Sequence, residues 1–243
     1  MIIVAHRGAS GVAPENTLAS FKLAWQQNTD AIEGDFRLTK DGVIVCIHDE
    51  DTERVGDKKL IVFESTLEEL KTIDVGRYRD VHFSGEFIPT LDEVITTVPD
   101  GKKILIEIKC GMEIVPTLME QLQHSGLTPD QVVIIAFDAL VIKACKALAP
   151  QYQVNWLNDF EENSDIEKII RVLVEIGADG LSSNNESSKE LVDAVLELEL
   201  LYHSGWTIDD VVLAKKLFDW GAFSLTTNNA GRMKRLLSLK AAL

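Results

Sequence analysis

Two histidines in this chain each close a short apolar run and stand beside a charged residue: Val4-Ala5-His6-Arg7-Gly8 and Cys46-Ile47-His48-Asp49. A lone histidine in such a place is usually hydrogen-bonded into the structure. Two together, in a chain that also carries paired carboxylates, suit a general acid and a general base. The carboxylates lie in Ala31-Ile32-Glu33-Gly34-Asp35 and in Ile104-Leu105-Ile106-Glu107-Ile108-Lys109. Alternate residues of a strand share a face, so Glu33 and Asp35 point the same way. By the same rule Leu105, Glu107 and Lys109 face away from Ile104, Ile106 and Ile108. A carboxylate inside an apolar run is costly unless it is paired or bound to a cation. Three of them at strand ends form an oxygen-ligand set for Mg2+ or Ca2+. The competing account pairs each carboxylate with an inward Arg or Lys, such as Lys109. It serves better for any one strand than for all three taken with the histidines. Arg7 and Lys109 are the cations that an anionic substrate requires.

Lesser candidates surround these. Gly8 lets the backbone turn sharply, so that His6 and Arg7 can converge on one point. Pro14-Glu15-Asn16-Thr17 reads as a helix start, with Pro near the first position and Glu favoured by the dipole. Glu15 is also placed to hold Arg7. Trp206, in Gly205-Trp206-Thr207 after a late strand, is a candidate wall of a ligand pocket. His82 and His124 read as surface or loop residues, and His203 as a minor candidate for the pocket.

These residues need a scaffold, and the chain alternates short apolar runs with amphipathic segments. The strand candidates are Ile2–His6, Ala31–Asp35, Val43–His48, Ile104–Lys109, Val132–Phe137, Tyr152–Leu157, Asp179–Ser182, Leu200–His203 and Ala222–Thr226. Helical spacing lines up Leu18, Phe21 and Trp25 within 16–28. It does the same for Val115, Leu118, Met119 and Leu122, and for Ile166, Ile169, Ile170 and Leu173. Repeated strand–helix alternation predicts a parallel sheet flanked by helices, and a closed TIM-type (β/α)8 barrel accounts for the count best. Nine candidates for eight places leave one strand peripheral or misread.

The link from Asp35 to Val43 is too short for a crossover helix. Thr39-Lys40-Asp41-Gly42 has turn chemistry, and an antiparallel hairpin is the default there. An extended parallel return, spanning roughly 23 Å, is preferred because a hairpin would carry His48 to the wrong face. Residues 51–87 break the alternation and read as an insertion after strand three, with a short helix near Leu67–Ile73. The whole of 1–243 is expected to be one barrel domain.

Composition limits the partners. Lys and Arg number 24 against 39 Asp and Glu, a formal charge of −15. Such a surface repels nucleic acid, which is bound mainly through its phosphates, and disfavours anionic membranes. No run approaches the length of a membrane span, and the opening MIIVAHRGAS lacks the basic region of a secretory signal. A cytoplasmic protein is expected. Cys46, Cys110 and Cys145 read as reduced thiols, not as a disulfide framework. The oligomeric state stays open.

HRGAS followed by APENT, the Glu-x-Asp pair, TKDGVIVCIHDE, STLEELKTID…GEFIPTLDEV and ILIEIK together closely resemble glycerophosphodiester phosphodiesterases. The likeness is strong over residues 1–110 and fainter to about 230. Singly these motifs are weak; in series they are specific. The resemblance implies a phospholipase C-like barrel with a small insertion after strand three, and a divalent metal on Glu33, Asp35 and Glu107. It makes His6 and His48 the catalytic pair, and Arg7 and Lys109 the phosphate contacts. The substrates it implies are deacylated phospholipids, cleaved to glycerol 3-phosphate and an alcohol. The chain departs from the usual pattern at Ala136-Phe137, at Thr226-Thr227-Asn228-Asn229, and at Thr52 and Val55-Gly56. None of these is a proposed ligand or catalyst. Two alternatives stand beside this reading: another phosphodiester such as a lysophospholipid or glycerophosphoinositol, and a non-catalytic phosphate- or metal-binding barrel with a regulatory role.

Overall fold

The computed structural model describes residues 2–240. Nine strands form among them: β1 (Ile2–Ala5), β2 (Ala31–Leu38), β3 (Ile44–Cys46), β4 (Lys103–Ile108), β5 (Val132–Ala136), β6 (Gln153–Asn158), β7 (Gly180–Ser183), β8 (Leu201–Ser204) and β9 (Ser224–Thr227). Eight pair in parallel in the order β1-β9-β8-β7-β6-β5-β4-β2, and β2 returns to β1 through Val4↔Ala31 and Ala5↔Ile32. The ring is closed. β3 is the strand left outside it.

The helices follow from the periodicity. α1 (Leu18–Gln26) begins at Thr17, whose side chain accepts from the Ser20 amide while Ser20 reciprocates. A short α2 (Leu67–Leu70) and α3 (Leu91–Ile95) precede β4. The ring then alternates with α4 (Val115–His124), α5 (Ala139–Leu148), α6 (Ile166–Ile176), α7 (Lys189–Leu196), α8 (Val211–Asp219) and α9 (Ala230–Lys240). In α4 the aligned Val115, Leu118, Met119 and Leu122 are all buried. In α6, Asp165 caps the start and Gly177, at φ 67°, ends the last turn in the left-handed region that glycine adopts without strain.

Two layers of packing result. Ile104, Ile106 and Ile108 join the helices in the outer core, whereas Leu105 joins Val4, Ala31, Val133, Ile135 and Leu157 inside the ring. The alternation expected for β4 is therefore the observed one, and it turns Glu107 inward.

The link after Asp35 is a correction. β3 runs antiparallel to β2, with Phe36↔Cys46, Arg37↔Val45 and Leu38↔Ile44 in register, so the extended parallel return does not form. The cause is that β2 outruns the ring. β1 pairs with it only at Ala31 and Ile32, so Phe36–Leu38 would leave backbone groups unpaired on that edge. β3 fills the edge after a turn in which Thr39 N–H donates to Val43 O (2.9 Å) and Gly42 takes φ 79°. Because the hairpin starts above the rim, its second strand descends only to the rim. Ile47 N–H donates to Asp35 O at 2.8 Å, so His48 arrives level with Asp35. The topology differed from expectation; the placement of His48 did not.

The hairpin also has two faces. Ile44 and Cys46 belong to the outer core, while Val45 and Ile47 pack with Val55, Val62, Leu70, Ile73, Val75 and Ile88. Residues 51–87 thus fold over the hairpin at the carboxyl end of the ring.

Candidate functional site

In a parallel ring every strand points its carboxyl end at the same rim, and His6, Lys109, Phe137, Trp206 and Asn228 all follow directly or closely on ring strands. At the centre of this rim Asp35 lies opposite Glu107 in register, with Glu33 one inward position below on β2. Ligand atoms of Glu33, Asp35 and Glu107 lie within 4.8 Å of one another, and the residues are only 2%, 0% and 7% exposed.

Their partners do not balance them. Glu33 Oε2 accepts from the Arg7 amide at 2.8 Å, and Asp35 Oδ2 accepts from Asn16 Nδ2 at 2.8 Å. Arg7 Nε stands 3.1 Å from Asp35 Oδ2, and Lys109 Nζ lies 2.7 Å from Glu107 Oε1 and 3.7 Å from Asp35 Oδ1. Pairing with inward cations is therefore real at Glu107 and incomplete for the set. Glu33 Oε1 and Asp35 Oδ1 are buried with no hydrogen-bond partner. Burial, reinforced by Asp35 and Glu107, pushes the Glu33 carboxyl well above its usual range. Burial and Asp35 lift Glu107 to about 7 against the pull of Lys109. Crowded oxygen donors, two orphaned acceptors and excess negative charge are what a divalent hard cation would relieve.

Arg7 and Gly8 make the turn that brings β1 into this cluster. Both take positive φ, 53° and 79°. A Cβ on Gly8 would also lie 2.3 Å from Ser20 Oγ, so the position needs glycine for space as well as conformation. The unusual backbone of Arg7 is held by its amide on Glu33 and by Asn16 N–H and Ser20 Oγ donating to its carbonyl, both at 3.0 Å. Its guanidinium meets Glu15 Oε1 at 2.9 Å, the contact expected between these residues.

The two histidines have unlike partners. His6 Nδ1 is 2.8 Å from Asn228 Oδ1, and Asn228 Nδ2 donates to Asp209 Oδ2 (3.2 Å) and Thr207 Oγ1 (3.3 Å). Those acceptors fix the amide with its oxygen toward His6, so Nδ1 carries the proton and Nε2 is a free base. Burial lowers the His6 pKa, aided by Arg7. His48 Nδ1 lies 2.6 Å from Asp49 Oδ1, a carboxylate that favours the imidazolium. Partial burial still lowers the His48 pKa overall, with Asp35 and Asp49 opposing.

Trp206 closes another side. Its ring meets Phe137 edge-on at 5.2 Å, and Lys109 Nζ lies 5.8 Å from the Phe137 ring centre. A cavity of about 270 Å³ is lined by Lys109 together with Arg37, Glu50, Phe63 and Glu113.

His203 is elsewhere. It bonds Gln153 and Ser224, the first residues of β6 and β9, near the amino end of the ring. Sequence patterns also missed three residues that the fold brings in: Asn16, Asn228 and Arg54. Asn228 lay in the atypical Thr226–Asn229 run and Asn16 in the APENT motif, which were the available signals. Arg54 bridges Glu15 and Asp49 from within residues 51–87.

A model of the glycerophosphoryl diester phosphodiesterase family matches residues 6–232. The chain belongs to that family. Among relatives of this family, a glycerophosphodiester phosphodiesterase of Caldanaerobacter subterraneus is 38% identical over 160 residues, 64% of this chain and 66% of its own length. One of Bacillus subtilis is 29% identical over 251 residues, covering 94% of this chain and 83% of its own. Among solved family structures, an Oleispira antarctica phosphodiesterase in complex with the product sn-glycerol-3-phosphate superposes with a TM-score of 0.90 at 27% identity, over 98% of this chain and 97% of that one. The first of these matches spans just under two thirds of the relative's length.

Proposed function

We propose that this chain hydrolyses glycerophosphodiesters to glycerol 3-phosphate and an alcohol, with Mg2+ or Ca2+ held by Glu33, Asp35 and Glu107. The observation that carries the reading is the buried acidic triad with two unsatisfied oxygens, set beside two histidines, one partnered by a neutral amide and one by a carboxylate. Family membership and the product bound to the Oleispira relative support the same substrate class. When bound, the cation neutralises charge that develops on the phosphoryl oxygens.

The chain's own groups do the rest. Arg7 and Lys109 hold the phosphate, and Phe137 with Trp206 forms an apolar wall beside it. His6 Nε2 takes the proton of the glycerol 2-hydroxyl as that oxygen attacks phosphorus. His48 donates a proton to the departing alcohol oxygen, and Asp49 steadies its charged form before transfer. The P–O bond to the alcohol breaks and a five-membered cyclic phosphate remains. Water then attacks phosphorus with the roles reversed: His48 accepts its proton, the bond from phosphorus to the 2-oxygen breaks, and His6 returns a proton to that oxygen. The cavity beside Lys109 has room for a small alcohol such as choline or ethanolamine.

Within this reading the protein works in the cytoplasm, in keeping with its free Cys46, Cys110 and Cys145. A coupled assay for glycerol 3-phosphate, run on several glycerophosphodiesters and a lysophospholipid with and without chelator, tests it. Turnover of the water-soluble diesters, lost on chelation, is expected. Turnover of the lysophospholipid alone, or of none, would overturn the assignment.

A further inference from the structure

Arg54 comes from residues 51–87, which supply none of the metal-holding, phosphate-holding or proton-transferring groups assigned above. Its Nη1 lies 2.8 Å from Glu15 Oε2, its Nη2 2.8 Å from Glu15 Oε1, and its Nε 2.6 Å from Asp49 Oδ2. Each carboxylate also holds a residue of the site, Glu15 through an oxygen it shares with Arg54 and Asp49 through its other oxygen. Glu15 Oε1 also meets Arg7 Nη1 at 2.9 Å, and Asp49 Oδ1 meets His48 Nδ1 at 2.6 Å. One guanidinium therefore completes a continuous chain, Arg7–Glu15–Arg54–Asp49–His48, from one side of the site to the other.

The geometry requires arginine. A planar fork can give two parallel bonds to Glu15 and a third to Asp49, whereas an ammonium is a point charge with no fixed directions. Stability is not what the contact supplies, because the Arg54 side chain is 46% exposed and ion pairs of that kind add little to folding. Its effect on its neighbours is large all the same. Burial would raise Glu15, yet Arg54 and Arg7 hold that carboxyl down to about 2. Glu15 stays charged and stays in place.

We propose that Arg54 is a positioning residue, which orients His48 through Asp49 and Arg7 through Glu15. The proposal rests on the reading of His48 as the acid that protonates the leaving alcohol. A choline or ethanolamine oxygen needs that proton; a p-nitrophenolate leaves without it. The loss of Arg54 should therefore depend on the leaving group, which a merely structural role would not do.

The test measures kcat and KM on glycerophosphocholine and on the glycerol 3-phosphate ester of p-nitrophenol. Arg54→Ala should lower kcat on the choline diester by about 10²-fold, the scale of a small misplacement of a reacting group. On the nitrophenyl ester kcat should fall far less, and KM should rise on both as Arg7 loosens. Arg54→Lys should recover little, with a melting temperature close to that of the unchanged protein. Asp49→Asn breaks the His48 arm alone, and the double variant with Arg54→Ala should be no slower in kcat than Arg54→Ala. Equal falls on both esters, or an unchanged kcat, would overturn the positioning role. His48→Ala separates the two claims. If it too loses equally on both esters, the acid assignment is wrong; if only Arg54→Ala does, the acid stands and Arg54 does not position it.

Discussion

His6 and Asn228 are 222 positions apart, and the His6 Nδ1 donates to the Asn228 side-chain oxygen at 2.8 Å. The amide orients the ring and selects its tautomer, and its modest pull toward the charged form is outweighed by burial and by Arg7. At His48 the corresponding partner is the Asp49 carboxylate, at 2.6 Å. The same side chain is thereby held at Nδ1 by a neutral amide in one place and by a carboxylate in the other, the difference on which the proposed division into base and acid rests.

His6→Ala and His48→Ala should each lower kcat by about 10²–10⁴, the usual range for losing a general acid or base. Asn228→Ala should cost less, about tenfold, because the ring remains and only its tautomer and aim are released. Steady-state kinetics on one glycerophosphodiester checks all three. An Asn228→Ala enzyme as fast as the unchanged one would remove Asn228 from the account.

Chelation should abolish activity, and so should Glu33→Ala, Asp35→Ala or Glu107→Ala. A second measurement does not depend on turnover. Added Mg2+ or Ca2+ should raise the melting temperature of the unchanged protein, since a ligand at a hundred times its Kd stabilises by about 2.7 kcal/mol. The Glu33→Ala protein should show no such rise. Full activity after dialysis against excess chelator would end the metal assignment.

The cyclic intermediate makes its own demand. A 2-deoxy glycerophosphodiester should bind, because the phosphate it offers to Arg7 and Lys109 is unchanged. It should not react, because external water lacks the advantage of a tethered hydroxyl, whose effective molarity reaches ~10⁵ M or more. A cyclic glycerophosphate should in turn be hydrolysed. Turnover of the deoxy compound near the natural rate would replace the scheme with direct attack by water.

His203 predicts a pH dependence of stability that is separate from catalysis. It is 4% exposed, and burial lowers its pKa from the ordinary 6.5 to about 4, with Lys103 adding to the effect. In the folded protein it is neutral, receiving a bond from Gln153 and giving one to Ser224. Between those two values the unfolded chain binds the extra proton, so stability falls as pH falls through 6.5 and levels off below 4. The loss amounts to about 3 kcal/mol at 1.36 kcal/mol per unit. Denaturant titrations from pH 7.5 to 4 should show it, and His203→Gln should flatten that slope whatever its effect on stability at pH 7.5. An unchanged slope would mean that His203 carries none of it.

Much of the site was legible before any contact was known. The pleat forces alternate residues to opposite faces within a few positions, so Glu33 with Asp35, and Glu107 with Lys109, could be assigned a common face from their spacing alone. Apolar positions recurring at helical spacing likewise placed α4 and α6, where the aligned residues are the buried ones. The nine strand candidates all form, and the surplus one is β3, outside the ring.

What pattern could not decide was which distant residues meet. The direction of β3 turned on how far β2 rises past β1, and so on a register between separate strands. The facing of Asp35 and Glu107 is likewise a register, as is the approach of Asn228 to His6 when the ring closes. Arg54 carries no periodic signal, and only the folding of residues 51–87 over the hairpin brings it between Glu15 and Asp49. Sequence by itself determined the side-chain faces and singled out the three inward carboxylates, because backbone geometry acts over neighbours. Tertiary structure alone decided the partner of His6 and the bridge made by Arg54, because unpaired edges and ring closure are satisfied only across the whole chain.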